Sequence, residues 1–123
     1  MNIFKSTLDT IYENSVIGPI TQFDHATLEL QILSGGQVGE AWKSPEFELI
    51  AMKRDGNPVR EVDQDKFTIL SKEEHRVQIE LKEQFLTCRR TVKMQLVIKD
   101  GSRLSTTLFY LSIGRSLDHE IAE

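Results

Sequence analysis

The residues best suited to chemistry in this sequence are three histidines and a single cysteine. His25, His75 and His119 lie far apart in the chain, and none has a second histidine or a cysteine at the spacing of a metal-binding motif. Cys88 precedes two arginines, whose positive charge favours a reactive thiolate, but no histidine lies nearby in the sequence to act as its base. We therefore predict turn or surface histidines and a buried cysteine, with no catalytic residue, no metal ligand and no cofactor.

Aromatic side chains suggest a different kind of site, a platform on which a sugar ring stacks. Tyr12 and Trp42 are the candidates for this platform, because each combines a broad apolar face with a polar edge. A single tryptophan in a small domain is also typical of the core or its rim. The sequence alone leaves both interpretations open.

Length and composition describe one small domain that depends on packing. The chain has 123 residues, of which 39% are hydrophobic and 28% charged, a composition that can bury a core and is not typical of disorder. The net charge of −4 argues against binding to a nucleic-acid backbone. The sequence shows no apolar run of membrane-spanning length and no signal peptide, and its one cysteine cannot form an internal disulfide. We expect a domain made in a reducing cytoplasm, without a membrane or nucleic-acid partner.

The clearest element is a β-hairpin between Val92 and Ile113. Its first strand alternates apolar and polar residues up to Ile98, the pattern of a strand with one buried face. Asp100-Gly101 follows, a dipeptide that closes tight hairpins. On the second strand, Phe109 and its alternate neighbours face the core. The opposite face carries Leu108 and Tyr110 among polar residues, so these two are candidates for a protein contact.

The rest of the chain repeats this short-strand pattern. Turn signals recur at intervals of eight to twelve residues, and the sequence shows no long amphipathic helix. Strands are predicted at 26–33, 42–53, 59–62, 66–70 and 77–81, and a helical turn at 82–86. We predict an all-β fold, an immunoglobulin-like antiparallel β-sandwich of about seven or eight strands. The predicted inner residues are Ala26, Leu28, Leu30, Phe47, Leu49, Phe67, Ile69, Val77, Ile79, Leu81, Met94, Leu96, Phe109, Leu111 and Ile113.

The two ends of the chain are predicted to have different structures. The first segment has helical spacing at Phe4, Leu8 and Tyr12, but its β-branched residues and the Gly18-Pro19 pair favour an extended edge strand. After Arg115 the pattern changes, because a serine that can cap a helix is followed by acidic residues. We predict a sandwich domain over residues 1–115 and the start of a helical linker or stalk over 116–123.

Several segments of the sequence together match the pattern of one known family. They are 18–24 leading into the strand 26–32, 46–52 with the turn 53–56, 77–81, 92–98 with Asp100-Gly101, 105–113, and 115–120. In these segments the sequence resembles the N-terminal domain of the upper baseplate protein of tailed phages that infect Gram-positive bacteria. The similarity runs from about residue 18 to residue 120, and it departs from the family at 88–92, where the family usually has Gly-x-Tyr/Phe.

This resemblance implies a virion structural part and not an enzyme. In such proteins the N-terminal sandwich docks on the central baseplate, and a helical stalk trimerises and carries receptor-binding tips outward. The implied partners are other baseplate proteins, namely the central distal tail hub and the receptor-binding protein. A trimer is expected through the region after Glu123, and the location is the virion. We expect the partner-facing surface to include Ile3 and Phe4 of the first segment and Leu108 and Tyr110 of the last strand.

Three other classes of function are weighed against this one. A carbohydrate-binding or adhesion sandwich would use Tyr12 and Trp42 as its platform. An enzyme would need an acid and a base close together, and the sequence gives no sign of such a pair. An intracellular interaction domain fits the composition without adding a specific feature.

Overall fold

The computed structural model describes residues 2–21, 25–52, 58–87 and 90–114. Within them the chain forms nine β-strands and two short 3-10 helices, at Gln64–Lys66 and Glu83–Leu86. No helix in the described part is long and apolar enough to cross a membrane. The strands are β1 (Asn2–Asp9), β2 (Ile17–Thr21), β3 (Ala26–Leu33), β4 (Glu46–Met52), β5 (Val59–Glu61), β6 (Phe67–Ser71), β7 (Arg76–Leu81), β8 (Thr91–Asp100) and β9 (Arg103–Gly114).

The strands form two sheets that pack as a sandwich. One sheet has four strands in the order β1-β3-β7-β6, and the other has five in the order β2-β9-β8-β4-β5. Most neighbours are antiparallel, but β1 pairs in parallel with β3, and β2 pairs in parallel with β9. The predicted all-β sandwich is therefore confirmed, with one strand more than the upper estimate and with parallel pairing at one edge of each sheet.

The β8–β9 hairpin forms as its sequence pattern predicts. Asp100 pairs with Arg103, which leaves Gly101 and Ser102 as a two-residue turn. Gly101 has φ 64°, a backbone conformation that glycine adopts without steric cost. The inner side chains of both strands alternate with exposed ones along the hairpin, so the outer face of β9 is fixed by the same alternation that buries Phe109 and Leu111.

The core lies between the two sheets. Of the fifteen predicted inner residues, fourteen are buried, and Ile69 is partly buried against the others. Burying a large apolar side chain contributes roughly 1.5–3 kcal/mol, which gives this disulfide-free sandwich its main stabilising term. Further core residues come from outside the predicted set and are Leu8, Ile17, Ile20, Ile32, Trp42, Ala51, Phe85, Leu86, Val92 and Ile98.

Several boundaries differ from the predicted ones. The predicted strand at 42–53 begins only at Glu46, and Trp42 lies in the irregular segment before it. The first segment is an edge strand as predicted, but only over Asn2–Asp9, and an irregular segment follows before β2. The helical turn expected at 82–86 is present as the second 3-10 helix. The helix expected from Ser116 lies outside the described residues.

Candidate interaction surfaces

Leu108 and Tyr110 point outward from β9 and form the centre of one exposed apolar surface. Their relative exposures are 50% and 41%, whereas Phe109 between them is fully buried. Across the β8–β9 pair, Leu108 lies opposite Gln95 and Tyr110 lies opposite Lys93. These neighbours leave both apolar side chains uncovered. The predicted outward orientation of this pair is what the structure shows.

The irregular segment after β1 lies beside this surface. The Asn14 side-chain amide donates a hydrogen bond to the main-chain oxygen of Leu108 (2.8 Å) and so fixes the segment against β9. Ile11 and Tyr12 on the same segment are 68% and 63% exposed. Together, residues 9–14 and the outer side chains of Thr106, Leu108 and Tyr110 line an open depression of about 590 Å³.

The Asp9 carboxylate holds this segment in place. Its oxygens accept hydrogen bonds from the main-chain N–H groups of Ile11 (2.8 Å), Tyr12 (3.1 Å), Gly35 (3.0 Å) and Gly36 (2.7 Å). Desolvation alone would raise the pKa of Asp9, but the four hydrogen bonds together outweigh it and lower the pKa from 3.8 to about 2. The carboxylate therefore ties the segment after β1 to the turn after β3.

A second depression, of about 390 Å³, continues the surface on the other side of Tyr110. Met52 on β4, 49% exposed, lies opposite Lys93 on β8, which in turn lies opposite Tyr110. Arg90 also lines the depression. We call Tyr12, Met52, Lys93, Leu108 and Tyr110 the β9 face. It is an apolar strip with a positive charge in its middle.

Ile3 and Phe4 lie on a different surface from the β9 face. They belong to β1, which is the edge of the four-stranded sheet, whereas Leu108 and Tyr110 belong to the five-stranded sheet. Ile3 is 53% exposed, and Phe4 is partly buried against the core. The four predicted contact residues are therefore divided between two surfaces and do not form one patch.

The aromatic platform is not assembled in the structure. Tyr12 is exposed beside β9, but Trp42 is only 7% exposed. The Trp42 ring stacks on the His75 ring, with centroids 4.6 Å apart and planes 5° apart. It also makes a T-shaped contact with the Phe47 ring, with centroids 5.4 Å apart and planes at 76°. His75 is itself held by Nε2, 2.6 Å from the main-chain oxygen of Glu40. Trp42 thus lacks the open face that a sugar ring needs, which argues against the platform.

The chemical candidates from the sequence are not brought together. Among the described residues, no group of three or more His, Cys, Asp or Glu side chains could hold a metal ion. His75 serves in the Trp42 stack, Cys88 and His119 lie outside the described residues, and His25 is exposed.

Sequence reasoning missed the carboxylate that holds the segment beside the β9 face, and it missed Met52 as a member of that face. The Asp9 carboxylate was not singled out, because its four donors come from two turns that meet only in the folded chain. Met52 was placed on a strand, but its position in line with Lys93 and Tyr110 depends on the pairing of β4 with β8. The only local sign of the Asp9 contacts in the sequence is Asn14, which follows Asp9 by five residues.

The fold and these surfaces define a small all-β sandwich domain with an exposed apolar face. No family model matches the chain, and no curated protein matches it. Among solved structures, it is similar to the N-terminal domain of ORF48 of phage TP901-1, a phage baseplate protein, with a TM-score of 0.67 and 14% sequence identity. The match covers 93% of this chain and 99% of that one, so the two share the fold over nearly their whole length. This is the kind of domain that the resemblance in sequence indicated.

Proposed function

We propose that this chain is a structural docking domain of a phage tail baseplate. The observation that carries the proposal is the shared fold with a phage baseplate domain over 93% of the chain. In this role the domain attaches to the central distal tail hub. A helical stalk that begins near Ser116 carries the receptor-binding proteins, and the chain trimerises through the region after Glu123. The place of action is the virion.

The β9 face is the proposed docking surface. Leu108, Tyr110 and Met52 are each at least 41% exposed, and apolar side chains of this size stabilise a complex most when a partner removes them from water. Lys93 between them would meet a carboxylate of the partner, which would fix orientation more than it adds affinity. Ile3 and Phe4 on β1 supply a second contact on the other sheet.

The proposal is tested by removing the centre of the β9 face. The double variant Leu108→Ser with Tyr110→Ser is co-expressed with the other baseplate proteins, and its incorporation into the assembled baseplate is measured by co-purification. A central interface side chain contributes at least about 1–2 kcal/mol, so we expect incorporation to fall by roughly tenfold or more.

The matched control is Leu104→Ser. Leu104 lies on the same outer face of β9 at its far end, opposite Lys99, and is 69% exposed. It also loses an exposed leucine, but outside the proposed contact, and incorporation should be unchanged. Equal incorporation of the double variant and the control would show that the β9 face is not the docking surface.

A further inference from the structure

The smaller of the two depressions beside the β9 face, of about 390 Å³, reaches the core of the sandwich. We call it the β8 depression, and it is lined by residues of β4, β8, β9 and the second 3-10 helix. The buried residues Ala51, Phe85 and Val92 form its floor. The exposed side chains of Met52 and Lys93 lie at its rim. An apolar depression of this size with a few polar groups is typical of a binding site.

The β8 depression carries positive charge. Arg90 and Lys93 line it, and among the described residues no aspartate or glutamate does so. Neither cation forms an ion pair within the described part of the chain. The main-chain oxygen of Arg90 accepts a hydrogen bond from the Ile113 N–H (2.9 Å), which holds Arg90 at the start of β8. Two positive charges thus lie beside an apolar floor, although the net charge of the chain is −4.

The depression on the other side of Tyr110 has the opposite charge. Asp9 and Glu13 line it, and no lysine or arginine in the described part of the chain does so. The Asp9 carboxylate already accepts four main-chain N–H groups, whereas Glu13 is exposed. The charge along the β9 face therefore changes sign across Tyr110. A partner with complementary charges at the two ends of its contact would bind in one orientation.

A partner that covers the β9 face also covers the β8 depression. Met52, Lys93 and Tyr110 belong to both, so removing Leu108 and Tyr110 from water closes much of the mouth of the depression. Arg90 and Lys93 would then lose contact with water. A buried charge without an opposite charge is strongly destabilising, so the covering surface must itself supply an anion.

We infer, on the basis of the proposed docking role, that the β8 depression receives an aspartate or glutamate of the docking partner together with a large apolar side chain next to it. The carboxylate lies between Arg90 and Lys93, and the apolar side chain lies on the buried floor. The arginine guanidinium can bind both oxygens of a carboxylate, while the lysine adds a single mobile charge. The partner is thus defined by an acidic residue beside an apolar one.

Two substitutions of Met52 test the sign of the partner's charge. Met52→Lys and Met52→Glu lose the same exposed apolar side chain and differ in the charge that replaces it. Each variant is co-expressed with the other baseplate proteins, and its incorporation into the assembled baseplate is measured by co-purification. We expect Met52→Glu to be incorporated at least roughly tenfold less than Met52→Lys, because an acidic group of the partner repels the glutamate. Equal incorporation, or the reverse order, would overturn the inference.

Cross-linking identifies the occupant in the unsubstituted protein. A water-soluble carbodiimide joins a lysine amine to a carboxylate that contacts it, and mass spectrometry of the assembled baseplate identifies the joined residues. We expect Lys93 to be joined to an aspartate or glutamate of another baseplate protein. The control is Lys99, which is exposed on the same outer face of β8, opposite Leu104 and roughly 20 Å along the strand. Cross-links at Lys99 but not at Lys93, or from Lys93 to a carboxylate of the same chain, would overturn the inference.

The double variant Leu108→Ser with Tyr110→Ser separates the acidic occupant from the docking role itself. Loss of incorporation in the double variant, together with equal incorporation of Met52→Lys and Met52→Glu, would leave the docking surface in place and refute the acidic occupant. Normal incorporation of the double variant would refute the docking surface. Loss in the double variant together with the expected order at Met52 would support both.

Discussion

Replacing Gly18 by alanine is expected to destabilise the domain strongly, because β2 passes very close to β9 at this residue. Gly18 has φ +130°, and a Cβ atom built there would lie 2.5 Å from the main-chain oxygen of Ser112 and 3.1 Å from the main-chain N of Ile20. A backbone oxygen cannot rotate away as a side chain can. The strands must therefore separate locally if alanine is to fit.

The loss of stability in Gly18→Ala has two contributions. Holding a non-glycine residue in this backbone region costs of order 1–3 kcal/mol, and forcing extra volume into a packed contact costs a further 1–3 kcal/mol or so. We expect a loss of about 2–6 kcal/mol in the free energy of unfolding. For a domain of this size that corresponds to a fall of roughly 8–24 °C in melting temperature.

The assay is urea unfolding followed by the fluorescence of Trp42, the only tryptophan, which is 7% exposed in the fold. The matched control is Gly36→Ala. Gly36 also has a positive φ, +81°, but a Cβ atom there would meet nothing within 4 Å. Gly36→Ala should lower the free energy of unfolding by only about 1 kcal/mol, the cost of holding alanine at a positive φ. Equal losses for the two variants would refute the close approach of β2 to β9.

Three further outcomes are expected. Thr107→Val should raise the free energy of unfolding by about 1 kcal/mol in the same urea assay, since the buried Thr107 hydroxyl has no hydrogen-bond partner within the described residues, and a decrease would contradict this. Phe109→Ala should lower the free energy of unfolding by about 3–5 kcal/mol in a thermal unfolding experiment, because Phe109 is fully buried. Tyr110→Ala should lower it by less than about 1 kcal/mol, because Tyr110 faces outward. Similar losses for the two variants would contradict the assigned faces of β9. Because folding lowers the pKa of Asp9 to about 2 from 3.8, its stabilisation is present above pH 4 or so and is lost as pH falls toward 2. Urea midpoints measured across this range should fall less in Asp9→Asn than in the unsubstituted protein, and parallel curves would exclude Asp9 as a source of acid sensitivity.

Much of the fold could be predicted because it depends on the local alternation of apolar and polar residues. The faces of β3, β7, β8 and β9 follow directly from apolar residues at every second position, and the β8–β9 turn follows from Asp100-Gly101. These features need no knowledge of which strands become neighbours. The predicted outward pair Leu108 and Tyr110 is correctly oriented for the same reason.

The remaining features depend on contacts between distant segments. Antiparallel pairing was predicted throughout, whereas β1 joins β3 in parallel after the chain has crossed to the other sheet to form β2. Trp42 was assigned to a strand because it begins an extended run. Its burial instead comes from His75, 33 residues later, which supplies the ring that covers it. No periodicity within one segment carries such information.

The most direct test of the proposed role is a cryo-electron microscopy reconstruction of a tail particle that contains this protein. The account predicts the sandwich at the central baseplate, with Leu108 and Tyr110 covered by another baseplate protein. A reconstruction in which the domain is present but the β9 face is open to solvent would contradict the docking surface. A baseplate that lacks the domain altogether would contradict the proposed function itself.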